Sequence, residues 1–193
     1  MSSVTVGPPG ATPRAAEALP PLGQGDLRLR EVEIDDAVEL AALFSDPLVA
    51  AHLSLAPSSA EAFGDWAQLS RVRRAEGRSA CYVVEVTTAV SGLFIASRAT
   101  ADANSAEAGF VLAPRLWGTG HFSTASTLFL SFLFDHWPIQ EVRVRTRVSS
   151  HRGSGAMRKL GAVIIDDTGR GDDGEYVWSL DRDAWRGRQT QSA

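Results

Sequence analysis

The order of predicted elements places this 193-residue chain in the α/β class, with a mixed sheet that carries helices on both faces. Three observations predict it. Apolar residues alternate with a period of two in some segments, as in Val142, Val144 and Val148 against Arg143, Arg145 and Arg147. In others they recur at helical spacing, as in Val38, Leu40, Ala41, Leu43 and Phe44. A glycine turn, Trp117-Gly118-Thr119-Gly120, joins a strand to a long apolar helix.

Taken in order, residues 1–25 are rich in proline and glycine and hold no aromatic residue. Such a segment buries too little surface to offset its ordering entropy, so it is expected to be a flexible leader. Leu27-Arg28-Leu29-Arg30 is a short strand. Asp35 or Asp36 caps the first helix, which ends before Pro47. Ser58 or Ser59 opens a second helix through Trp66 and Leu69 to about Ala75, and Gly77 stops it. Strands follow over Ala80–Val86 and Ser91–Ala99, joined by a tight connection at Thr87–Val90. A third, Glu107–Leu112, ends at Pro114. The long helix spans about Phe122 to Trp137 and Pro138 terminates it. Glu141–Val148 is a strand, Gly155–Leu160 a short helix closed by Gly161, and Ala162–Ile165 and Tyr176–Leu180 are the last strands. The reading is one domain over residues 26–185, with a flexible tail at 186–193.

Composition narrows the function. The net charge of −4 argues against a general nucleic-acid binder, which would be strongly basic. Cys81 is the one cysteine, and His52, His121, His136 and His151 show no paired spacing, so no metal site is expected. The apolar stretch Leu128–Phe134 is broken by Ser131 and too short to span a bilayer. No basic region followed by an apolar core opens the chain, and a cytoplasmic setting is expected. The acidic run Asp166-Asp167 to Asp172-Asp173 misses calcium-loop spacing and reads as a polar hairpin loop.

The chemistry concentrates in Pro114-Arg115-Leu116-Trp117-Gly118-Thr119-Gly120-His121-Phe122-Ser123. Glycines let the backbone turn sharply, and the following helix start offers free N–H groups and the positive dipole end, so a diphosphate is the natural guest. A dinucleotide-binding oxidoreductase would want a third glycine where Ser123 stands, and a Walker loop would want a lysine that is missing. Arg115, Gly118 and Gly120 fit Arg/Gln-x-x-Gly-x-Gly/Ala.

In this segment the chain resembles the GNAT superfamily of N-acetyltransferases. Downstream, Arg158-Lys159-Leu160-Gly161-Ala162 is similar to the family's Lys-Leu-Gly-Phe, and the branch resembled most acts on ribosomal-protein N-termini. The resemblance implies a mostly antiparallel GNAT-like sheet and acetyl-CoA as co-substrate. It assigns the cofactor to Val111, Leu112, Arg115, Gly118, Thr119, Gly120, His121, Phe122, Ser123, Ser150 and Arg152. It makes Glu107, the carboxylate on the strand before the turn, the general base. A backbone N–H near Val111 or Leu112 would meet the oxyanion. Against the family pattern, Ser150 stands for Asn, Gly153 for Ser, Ala162 for the aromatic, and Met157 and Arg158 occupy the segment where other branches carry a tyrosine acid.

The resulting expectation is acyl transfer, most simply of acetyl, from acyl-CoA to a primary amine at a protein N-terminus or on a small molecule. The alternative is a non-catalytic acyl-CoA-binding regulatory module. No nucleic acid, membrane or metal partner is expected, and both monomer and homodimer are open. His52 and Trp66 are candidates for the border of the acceptor pocket, with Trp66 also fitting a core position.

Overall fold

A computed structural model describes residues 18–53, 57, 59–98, 104–167 and 174–191. Its strands are β1 (Leu22–Gln24), β2 (Leu27–Glu31), β3 (Ser79–Val86), β4 (Ala89–Ser97), β5 (Ser105–Leu112), β6 (Glu141–Arg147), β7 (Val163–Asp167) and β8 (Glu175–Asp181). The helices are α1 (Ala37–Ser45), α2 (Pro47–Ala50), α3 (Ala60–Ala75), α4 (His121–His136), α5 (His151–Leu160) and α6 (Arg182–Gln191). One sheet runs in the order β1-β2-β3-β4-β5-β6-β8-β7. The pairs β1/β2, β2/β3, β6/β8 and β7/β8 are antiparallel. β5 and β6 are parallel, from Ser105↔Glu141 to Ala108↔Val144. The sheet is therefore mixed and mostly antiparallel, as expected.

The backbone packs as two compact units: residues to Ala96 with Phe110–Trp137, and Ser97–Gly109 with Pro138 onward. In the first, Ala80–Val84 of β3 are all buried, although neighbouring strand residues point to opposite faces. Both faces must therefore be covered. Cys81 and Val83 join Leu40 of α1 and Phe63 and Ala67 of α3 in one apolar cluster. Tyr82 faces the other way, edge-on to Phe129 and Phe132 of α4 at 6.0 and 5.5 Å. Burial pushes both the Cys81 thiol and the Tyr82 phenol well above their ordinary pKa ranges. Arg30 ties the start of this unit together, donating to Asp36 at 2.8 Å and Glu85 at 2.7 Å.

In the second unit Val142 and Val144 of β6 are buried, and Trp178 of β8 is buried with its indole N–H donated to Thr146 Oγ1 at 2.8 Å. The arginines of β6 lie on the opposite face, as the alternation predicts. Arg143 pairs with Glu141 at 2.6 Å and Arg145 with Glu107 at 2.7 Å.

Several boundaries differ from the sequence reading, each for a physical reason. The flexible leader expected over 1–25 does not extend through its last residues. Leu19 is buried, its N–H bonds Glu31 at 3.0 Å, Pro20 O accepts from Tyr82 at 3.0 Å, and β1 pairs with β2. Proline density hid an apolar anchor, Leu19; residues 1–17 lie outside the described residues. The tail expected at 186–193 is helical to Gln191, continuing α6, where Arg188 donates to Gly161 O at 3.0 Å.

α1 ends at Ser45, before Pro47 as expected. Pro47 itself opens α2, capped by Asp46. Asp36 precedes α1 without a side-chain cap bond, because its carboxylate serves Arg30 and Glu33 N instead. Ser59 does cap α3, accepting from Ala62 N. The β3–β4 connection places Thr87 and Thr88 at φ 52° and 69°. A two-residue hairpin turn needs that hand, and β-branched residues adopt it at a cost.

Candidate functional site

The glycine turn is built by strand β5, which ends against Pro114, and by a single 3-10 turn over Pro114–Leu116. Gly118 and Gly120 then take φ of +78° and +93°, a region that favours glycine. A Cβ at either position would meet no protein atom within 4 Å, so the turn is open on that side. Gly120 is the N-cap of α4 and supplies no side-chain cap. Thr124 N is the first amide of α4 to reach back to a carbonyl, Gly120 O at 3.2 Å. The amides before it in the first turn have no acceptor within the helix, and with the dipole they are suited to an anion. The first turn of α4 carries no acidic residue.

Several side chains of the turn have partners in the protein although Arg115 and Thr119 are exposed. Arg115 donates to Ser91 Oγ at 2.7 Å, linking the turn to β4. The Trp117 indole N–H donates to Leu112 O at 2.9 Å. Thr119 Oγ1 donates to Leu116 O at 2.6 Å and lies 2.6 Å from His121 Nδ1. His121 Nε2 is 3.6 Å from Asp26 in the β1–β2 turn. Phe122 packs on Phe110 with ring centroids 4.7 Å apart, and Ser123 is exposed on the first helical turn. Arg115, Thr119 and His121, all expected as cofactor contacts, thus have protein partners that fasten the turn.

Strand parity sorts the two oxyanion candidates. Ala113 N donates to Ser91 O on β4 at 2.8 Å, and the Val111 carbonyl lies against Gly92, where a Cβ would come within 2.5 Å of it. Odd-numbered residues at this end of β5 therefore turn their backbone groups to β4. Leu112 turns its amide to the opposite edge. Of the pair, Leu112 is the one whose N–H this alternation turns away from β4. A cavity of about 370 Å³ lies beside the turn, lined by Glu39, Leu43, Asp46, Val90, Pro114 and Arg115.

In the second unit, Glu107 is exposed on β5 and accepts from Arg145 Nε through Oε1 at 2.7 Å. The pair raises the Arg145 pKa. Ser150 is buried and caps α5, its Oγ accepting from Gly153 N at 3.3 Å. The helix therefore starts at His151, four residues before the expected Gly155, because capping outweighs the poor helix propensity of Gly153 and Gly155. Arg152 is exposed in its first turn. Met157, where other branches carry a tyrosine, is fully buried and is core.

Sequence reasoning missed Ser91 and Asp26. Neither carries a motif: Ser91 reaches the turn from β4, and Asp26 through packing of α4 on the β1–β2 hairpin. Trp66 packs edge-on to Phe63 beside the core cluster, and His52 is exposed in the turn after α2. Among the described residues no group of three His, Cys, Asp or Glu could hold a metal ion, and no helix is long and apolar enough to cross a membrane. The acidic positions Asp172 and Asp173 lie outside the described residues.

Residues 26–163 match the family model described as an acetyltransferase (GNAT) domain. No curated protein matches the chain in sequence. Among solved structures, ribosomal-protein-S5-alanine acetyltransferase from Vibrio fischeri superposes with a TM-score of 0.75 at 13% identity, covering 86% of this chain and 98% of that one. The Salmonella typhimurium acetyltransferase that modifies the N-terminal serine of ribosomal protein L7/L12 gives 0.71 at 14% identity, with 82% and 96% covered. Mycobacterium smegmatis RimJ in complex with a CoA disulfide gives 0.69 at 14%, with 80% and 81% covered. At these identities the likeness is one of fold.

Proposed function

The chain belongs to the GNAT acetyltransferase family, and from that premise we propose that its glycine turn holds the pyrophosphate of acetyl-CoA while acetyl passes to a primary amine. Membership makes it an N-acetyltransferase with acetyl-CoA as co-substrate, and favours the enzyme over a non-catalytic binding module. One observation carries the assignment of the turn. Gly120 starts α4 with a positive φ, no side-chain cap and open space where a Cβ would stand. A diphosphate would supply the acceptors that the first amides of α4 lack within the helix.

In the reaction the amine nitrogen attacks the thioester carbonyl. The C–N bond forms, the C–S bond breaks, the amine proton passes to a base, and the CoA thiolate leaves and is protonated. The Leu112 N–H is the donor we assign to the oxyanion. Glu107 is the base, directly or through a water, acting through the carboxylate oxygen that Arg145 does not hold. Ser150 enters as the cap of α5 rather than as a cofactor ligand, and Arg152, exposed on the first turn of α5, is kept as a cofactor contact. As acceptor we put a protein α-amine first. Its pKa of about 8 leaves far more neutral amine near pH 7 than a lysine's of about 10.4. The Vibrio and Salmonella proteins that share the fold are named for such acceptors. The setting is cytoplasmic, as monomer or homodimer.

Thiol release from acetyl-CoA, measured over N-terminal peptides, polyamines and small amines, tests the reading. Turnover with an α-amine is expected, and silence with every amine would overturn it. Glu107→Gln should lower kcat/KM by about 100- to 10,000-fold, the range of general-base contributions. The defect should shrink as pH rises, because more amine is then already neutral. Unchanged turnover would remove Glu107 from the mechanism.

A further inference from the structure

The residues between and just after the two glycines point to a role that the phosphate-loop reading does not include. Thr119 and His121 flank Gly120, the residue whose φ of +93° sets the direction of the first amides of α4. The Thr119 hydroxyl has one proton, and it is donated to Leu116 O at 2.6 Å. Its contact with His121 Nδ1, also 2.6 Å, must then be one in which the oxygen accepts and Nδ1–H donates. This places a proton on Nδ1, and Nε2 lies 3.6 Å from the Asp26 carboxylate, which attracts it only when Nε2 is protonated as well. A hydrogen-bonded chain, Leu116 C=O to Thr119 to His121, therefore bridges the turn. Without it, the residues around Gly118 and Gly120 would have more conformational freedom than the anion seat tolerates, and binding would have to restore the order.

We propose that Thr119 and His121 are positioning residues for the diphosphate of CoA, acting as one hydrogen-bonded unit that holds the turn with its amides outward, and not phosphate ligands. This rests on the assignment of the turn as the CoA site.

Calorimetric titration of the full chain with CoA tests it, with melting of each ligand-free variant to confirm folding. Thr119→Val removes the hydroxyl, and His121→Phe keeps the ring but removes the donor. Each should raise the Kd for CoA about tenfold, corresponding to about 1.4 kcal/mol. The double variant should lose little more than either single one, because both break the same chain. Thr119→Ser, and His121→Asn with an amide N–H near the Nδ1 position, should stay within about threefold of wild type. The KM for acetyl-CoA should follow Kd in every variant while kcat holds, a split that general loss of folding would not produce. Singles that bind CoA like wild type overturn the proposal, as do additive losses, which would mark independent phosphate ligands. Gly120→Val separates the two levels. If it leaves CoA binding intact, the turn is not the site. If it abolishes binding while Thr119→Val and His121→Phe do not weaken it, the site stands and the positioning role fails.

Discussion

Two helix starts in this chain carry residues that were expected to face the cofactor, and they are built in opposite ways. α4 begins at Gly120, which offers no side chain to its first amides. α5 begins at Ser150, whose own Oγ accepts from Gly153 N. The dipole argument is the same for both, but an anion needs unfilled donors as well as a favourable potential. A helix that caps itself with a serine has used one of its donors internally, whereas a left-handed glycine cap leaves the seat open. The contrast also gives Gly153 a reason for being where the family pattern has serine: a Cβ there would come within 2.9 Å of Ser150 Oγ.

The sharpest way to break the comparison is at Gly120. Gly120→Val should weaken CoA binding by about 100-fold or more, since a β-branched residue resists positive φ and its side chain would occupy the phosphate approach. Loss of the thermal shift that CoA confers on wild type is the readout. Trp117→Phe should act more mildly. It removes the indole N–H that holds Leu112 O, and the KM for acetyl-CoA should rise several-fold, about the worth of one hydrogen bond. At the other helix start, Ser150→Ala should cost about 1 kcal/mol of stability in denaturant unfolding, as for other lost serine caps. It should change the Kd for CoA less than about twofold, and a tenfold loss there would mean that Ser150 touches the cofactor after all. The smallest effect lies away from both. Thr88→Gly relieves a β-branched residue at φ 69° and should stabilise the chain by about 1 kcal/mol without altering CoA affinity.

Much of this architecture was legible in local pattern. The alternation of Val142 and Val144 with the arginines identified β6, and Ser59, Gly77, Pro138 and Gly161 marked helix ends where the structure has them. The glycine turn could be read as an anion site because Gly118 and Gly120 carry their conformational meaning individually. What local pattern misread were segments whose order comes from distant partners. Leu19 is held by Glu31 and Pro20 by Tyr82, contacts invisible in a proline-rich stretch. The glycines of α5 concealed a helix whose first turn depends on a cap, and α6 continues through residues that looked like tail.

By itself, then, the sequence determined the class of fold and the place of the glycine turn, because helix starts, strand alternation and positive-φ glycines depend on residues a few positions apart. The kind of co-substrate came from the family resemblance. Only the tertiary structure decided what the side chains at the site do. Arg115 finds Ser91 across β4, His121 faces Asp26 in a hairpin nearly a hundred residues earlier, and Glu107 meets Arg145 on the neighbouring strand. The reason is range. Backbone conformation responds to near neighbours, while a polar side chain goes to whichever partner the fold brings within about 3 Å, and strand pairing and helix packing bring these partners close.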